Sequence, residues 1–192
     1  MDVNTEYRAI QQDKVHDRIN YMSNDKIKEV LNEELGLPTY TIKNFKYTEK
    51  KESMPDIKEQ LDIGVDNYAT ISGKRIFITP NILNRSSTKL DEDEDRKFDI
   101  ELPLDWRDVD TVEISIPQGY IPENIPRDVS VKTKFGFYKT TTVIRENKIL
   151  YVRVNEQYSG HFPAKDFREF ARFCNDKFKF DRSKVVLVKK TE

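Results

Sequence analysis

The sequence predicts a mainly β, α+β fold: an antiparallel β-sandwich with an N-terminal helix pair and one helix before the last strand. Three observations carry this. From Tyr40 onward most apolar residues alternate with a period of two. Turn signals separate short runs rich in β-branched and aromatic residues. Helical spacing is confined to the first forty residues and to one late segment. With 11 Phe, 9 Tyr and 1 Trp in 192 residues, aromatic burial can offset the entropy of ordering the chain.

The opening segment "TEYRAIQQDKVHDRINYM" places Tyr7, Ile10, Val15, Ile19 and Met22 near one helix face. A second helix follows, capped by Ser23 or Asn24. Its stripe is Ile27, Val30, Leu31 and Leu35, and it stops at Gly36 and Pro38. Residues 1–38 are expected to pack on a sandwich formed by residues 39–192, as one compact unit. In that sandwich "TYTIKNFKY" and "EQLDIGVDNYATIS" read as strands. Ser72-Gly73-Lys74 reads as a hairpin turn into "RIFITP". The segment "NRSSTKLDEDEDRK" is a loop, and the acidic run at 91–95 is expected to be exposed.

Phe98, Ile100, Leu102 and Leu104 then alternate, as do Val112, Ile114 and Ile116. Pro117, Pro122 and Pro126 read as an extended crossing without ladder bonds, with Gly119 supplying a turn. Phe135-Gly136 leads into a long hairpin about Glu146-Asn147. Pro163 opens the late helix, whose stripe is Phe167, Phe170, Ala171, Cys174 and Phe178. The segment "KVVLVKK" is the last strand.

Composition excludes several functions. The net charge is −1, which gives no electrostatic case for nucleic acid or for an anionic membrane. No apolar run is long enough for membrane insertion, and the first residues contain no signal peptide. One cysteine, Cys174, permits neither an internal disulfide nor a Cys-based zinc site. No cofactor motif appears: there is no Gly-rich phosphate loop between a strand and a helix, and no G-x-S-x-G.

No complete catalytic set appears either. Cys174 falls in the second half of its helix on the apolar face, where a core thiol is the better reading than a nucleophile. His16 and His161 are far apart in sequence, and His161 reads as a loop residue rather than a ligand. The acidic run fails as an EF-hand because Arg96 and Leu102 stand where glycine and glutamate are needed. Asn84-Arg85-Ser86 fits a glycosylation sequon, a pattern frequent by chance. Trp106, Tyr120, Tyr138 and Tyr158 could form an aromatic platform for glycan or peptide. An aromatic residue in a sandwich strand is more often core, and Tyr120 and Tyr138 are expected to pack inward.

The stretch "VEISIPQGYIPENIPRDVSVKTKFGFYKTTTVIRENKILYVRVN" contains Pro117, Gly119, Tyr120, Ile125, Pro126, Phe135, Gly136 and Tyr138 in a particular order. The stretch "SGHFPAKDFREFARFCNDKFKFDRSKVVLVKK" adds Gly160, Pro163, Phe167, Phe170, Asp181, Arg182 and Lys184. This order resembles the C-terminal β-rich segment of large bacterial transglutaminase-like proteins. Those carry an N-terminal β-domain of unknown function and a central transglutaminase-like core. The resemblance is strongest from Val112 to Lys190. It implies a periplasmic or cell-surface setting and an upstream transglutaminase-like domain as partner. It transfers no catalytic residue, because in that core a Cys precedes a His and an Asp, whereas here both histidines precede Cys174. The family usually has strand material before Tyr7, so Met1 is expected to mark a cut in a longer chain. The expected function is a non-catalytic accessory or scaffold module; a binding sandwich for glycan or peptide is the alternative, and an autonomous enzyme the third class.

Overall fold

A computed structural model describes residues 1–53, 55–92 and 96–190. The chain is mostly β with antiparallel sheets, a helix pair near the N-terminus and a third helix before the last strand. It divides into two units, Met1–Tyr68 and Ala69–Glu192.

The first unit corrects one expectation. Tyr7 lies on a strand, β1 (Asp2–Arg8), and not on a helix. β1 pairs residue by residue with β3 (Asp56–Val65), from Asp2 opposite Asp62 to Arg8 opposite Asp56. A full ladder outweighs the helical spacing, and Ile10 and Met22 are left exposed. A 3-10 turn at Ala9–Gln12 leads into α1 (Asp13–Tyr21), which buries Val15 and Arg18. In α2 (Asn24–Glu34) the cap is Ser23, whose hydroxyl accepts from the Lys26 N–H, and Ile27 and Leu31 are buried. Gly36 ends the helix region at φ +58°. The sheet order is β1-β3-β2, with β2 at Tyr40–Lys50. On β3, Ile57, Leu61 and Ile63 share the buried parity with Glu59. Glu59 accepts from the hydroxyls of Tyr7 at 3.1 Å and Tyr47 at 2.7 Å, and Arg18 lies 3.8 Å away. These partners compensate a carboxylate that would otherwise be stranded in the core.

In the second unit β4 (Thr70–Ser72) and β5 (Arg75–Ile78) form the expected hairpin, with Gly73 at φ +57°. The other strands are β6 (Ile100–Leu102), β7 (Trp106–Ser115), β8 (Tyr120–Asn124), β9 (Val129–Thr133), β10 (Gly136–Arg145), β11 (Lys148–Gln157), β12 (Gly160–Phe162) and β13 (Val185–Lys189). They form sheets of order β7-β11-β10-β9 and β4-β5-β13-β8, and a short pair, β12-β6. The β10–β11 turn sits at Glu146-Asn147, both at positive φ, as a two-residue hairpin of right-handed twist requires.

Two further expectations are corrected. The proline-rich crossing is not free of ladder bonds: β8 pairs with β13, Tyr120 opposite Lys189 and Pro122 opposite Leu187. β8 is an edge strand, where a missing donor is tolerated, and the register shifts at Val186/Leu187. The alternation from Phe98 to Leu104 shortens to β6, and Phe98 is 81% exposed.

α3 (Phe167–Phe180) packs its apolar stripe on the β9–β10 region. Phe167, Ala171 and Phe173 cluster with Ile100, Phe135 and Tyr138. Cys174 is buried and Phe170 half-buried. The ring of Phe135 meets those of Phe162 and Phe170 edge-on, with centroids 4.7 and 5.2 Å away. In the acidic run Asp91 is exposed and Glu92 half-buried; residues 93–95 lie outside the described residues. No helix among the described residues is long and apolar enough to cross a membrane.

Candidate functional site

The site grows from the register of three strands. Across β7 and β11, Asp110 faces Arg153, Asp108 faces Asn155 and Trp106 faces Gln157; across β10 and β11, Tyr138 faces Asn155. Directly opposed residues point to the same side of a sheet, so these polar groups converge on one face. Arg153 and Asn155 have the same inward parity as Ile149 and Tyr151.

Arg153 is 2% exposed. Its Nη1 donates to Asp110 Oδ2 at 2.6 Å, and its Nε lies 3.0 Å from Asp181 Oδ1. Asp181, directly after α3, collects more donors: the Tyr138 hydroxyl at 2.7 Å, Asn81 Nδ2 at 2.7 Å and the Ser86 backbone N–H at 2.7 Å. A buried arginine between two carboxylates is thus matched in charge and largely in hydrogen bonds. Burial, with the Asp181 charge beside it, pushes the Tyr138 phenol far above its ordinary range. Burial does the same to Tyr151.

Beside this network lies a cavity of about 430 Å³. The loop at 83–88, the Trp106 end of β7, β11 and α3 enclose it. Asn84, Ser87 and Thr88 on its rim are exposed, whereas Phe135, Phe173, Arg153 and Asn155 on its floor are buried. The cavity therefore runs from the surface to the core. Asn155 is 5% exposed, and its Oδ1 has no hydrogen-bond partner among the described residues. From α3, Lys177 reaches over aromatic rings, its Nζ 4.6 Å from the centroid of Phe173 and 5.9 Å from that of Trp106. Burial lowers the Lys177 pKa.

Cys174 also lines the cavity, at 4% exposure. Burial raises its thiol pKa, opposite to what a nucleophile needs. Neither histidine lines the cavity. His161 is exposed on β12 with Nε2 2.8 Å from Asp99 Oδ2, and His16 faces Glu49 in the first unit. Among the described residues no cluster of three His, Cys, Asp or Glu could hold a metal ion.

The four aromatic candidates sit in different settings. Trp106 is half-buried and lines the cavity. Tyr138 is wholly buried in the network, which rules it out as surface for a ligand. Tyr120 is half-buried at the start of the edge strand β8, and Tyr158 is half-buried with its hydroxyl on Glu156. The sequence reading missed Arg153, Asn155 and Lys177. The available signal was the parity of "LYVRVNEQ", which puts an arginine and an asparagine at core positions of a strand.

A family model, DUF3858, described as a domain of unknown function with a solved structure, matches residues 74–187. No curated protein matches the chain. Among solved structures, a candidate protease from Parabacteroides distasonis ATCC 8503 is similar at 19% identity and a TM-score of 0.43. The match covers 48% of this chain and 18% of that one.

Proposed function

The chain belongs to the DUF3858 family, and we propose that it is a non-catalytic accessory module of a transglutaminase-like cell-envelope protein. Its second unit binds a ligand in the cavity beside Trp106. The cavity carries this reading: Arg153 and Asn155 are set into a polar floor, open to the surface through the loop at 83–88. Such convergence of polar groups within aromatic walls is the usual form of a small-molecule or peptide site. The absence of any histidine beside the cavity-lining thiol favours binding over acyl transfer. The accessory placement rests on the resemblance, whose strongest part lies almost wholly within the matched segment.

Trp106 is the only tryptophan, so its fluorescence reports the cavity directly. Titration with short peptides and oligosaccharides is expected to change that signal without turnover. Peptide hydrolysis or transamidation by the chain, lost in Cys174→Ala, would overturn the non-catalytic reading. The placement is tested by the coding sequence upstream of Met1, where a Cys-His-Asp core and a signal peptide are expected.

A further inference from the structure

The charges around the cavity are not all spoken for. Arg153 is matched by Asp110 and Asp181, at 2.6 and 3.0 Å. Arg85, Lys177 and one carboxylate, Asp108, also line the cavity; among the described residues neither cation has a carboxylate within ion-pair distance, although Asp181 attracts Lys177 from farther away. Lys177 is half-buried against Phe173 and Trp106, so water screens its charge only in part. Two cations face one lining carboxylate, and the partly desolvated positive charge left over is a cost that an anionic ligand removes.

A second observation narrows the ligand. Asn155 Oδ1 is buried in the cavity floor without a partner among the described residues, and it needs an N–H or O–H donor. A third is the aromatic wall of Phe170, Phe173 and Trp106, which takes an apolar body. One chemical class offers a carboxylate, an N–H donor two bonds from it, and an apolar side chain together: the C-terminal residue of a peptide.

We propose that the cavity captures a peptide C-terminus, with Arg85 and Lys177 receiving the carboxylate and Asn155 the adjacent amide N–H. This rests on the binding reading above and specifies its ligand. A neutral sugar would add no negative charge to balance the second cation. A carboxylate lacking the N–H would leave Asn155 without its donor.

The test uses the full chain and three probes: N-acetyl-leucine, N-acetyl-leucinamide and N-acetylglucosamine, followed by Trp106 fluorescence and calorimetry. N-acetyl-leucine is expected to bind at least tenfold more tightly than its amide, and to weaken as salt is added. Lys177→Met and Arg85→Met should each remove most of that preference while leaving the circular dichroism unchanged. If Lys177→Met fails to fold, Arg85→Met, on an outer loop, still decides. Equal binding of acid and amide, or preference for N-acetylglucosamine, overturns the C-terminus assignment and leaves the binding reading standing. No binding of any probe up to the solubility limit, nor of longer peptides or oligosaccharides, overturns both.

Discussion

The Tyr138 hydroxyl donates to Asp181 Oδ1 at 2.7 Å, tying β10 to the residue that ends α3, 43 positions later in the chain. Asp181 also receives Asn81 and the Ser86 N–H and faces Arg153. One carboxylate thus joins β10, β11, α3 and the loop that walls the cavity. Removing the Tyr138 hydroxyl leaves Asp181 with one donor fewer in a site closed to water. Tyr138→Phe is expected to cost about 1–3 kcal/mol. Asp181→Ala strands Arg153 with a single carboxylate and should cost about 3–5 kcal/mol. Urea unfolding followed by Trp106 fluorescence reads both, since the tryptophan reports this unit. An Asp181→Ala midpoint equal to wild type would mean that Arg153 is not held as described.

Alkaline pH should expose the same network. Burial raises the phenol pKa of Tyr7, Tyr47, Tyr138 and Tyr151 in the folded chain. In the unfolded chain these phenols ionise near pH 10. A group whose folded pKa is raised contributes stability that is full below the unfolded value. That contribution is lost as pH climbs above about 10 toward the folded values. Absorbance of tyrosinate should therefore show a late phase, in which these four phenols ionise only as the circular dichroism collapses. Ionisation of all nine near pH 10 with the fold intact would contradict the burial.

Much of the second unit was legible in the sequence because its strands are long, alternate cleanly and turn at residues with one conformational meaning. Gly73 and the Glu146-Asn147 pair are such residues. β1 was not legible, since a polar strand with Val3, Thr5 and Tyr7 on one parity reads equally well as a helix start until β3 is there to pair with it. Phe98 and Leu104 misled for the opposite reason. They are apolar residues in the right alternation but outside the ladder, and a surface carries many such residues. The cavity was illegible as a site because it is assembled from β7, β11, α3 and the 83–88 loop, with no local motif. Its one local trace was arginine and asparagine at core parity on β11.

Gly136 sets a steric limit on the β10–β11 pair. A Cβ built there would lie 2.1 Å from the Glu156 carbonyl oxygen, a backbone atom with no freedom to move aside. Gly136→Ala is expected to cost on the order of 3 kcal/mol, the upper range for overpacking. Gly64→Ala is the control, because the nearest atom to its Cβ is the end of the Lys43 side chain at 3.2 Å, which can swing away. Comparable urea midpoints for the two variants would show that β11 yields where the geometry says it cannot.

The hairpin at Glu146-Asn147 offers a gain in stability. Glu146 holds φ +46°, a left-handed conformation that costs a residue with a Cβ about 1 kcal/mol, whereas glycine adopts it freely. Asn147, at φ +60°, is already suited, and its Nδ2 donates to the Ile116 carbonyl at 3.0 Å. Glu146→Gly should raise the urea midpoint by the equivalent of about 0.5 kcal/mol, the strain relief being partly offset by added entropy in the unfolded chain. Asn147→Ala should lower it, having lost both the conformational fit and the bond. A fall for Glu146→Gly would show that the glutamate side chain stabilises the hairpin more than its backbone strains it.

Cys174 separates a binding module from a thiol enzyme. Its thiol is 4% exposed in the second half of α3, with no histidine beside the cavity, and burial raises its pKa. Thiolate forms readily only once the helix opens, so a thiol reagent at pH 8 should label the native chain at a rate set by opening. That rate is expected to be at least about 100-fold below the rate in denaturant, because opening a core helix costs several kcal/mol. Lys177, one turn along, opposes the burial effect. Lys177→Met should therefore leave native labelling as slow or slower, whereas in an enzyme with a Lys-activated thiolate it would abolish a fast phase. Rapid native labelling that vanishes in Lys177→Met would make Cys174 a reactive thiol held in the cavity, and the non-catalytic reading would fall with it.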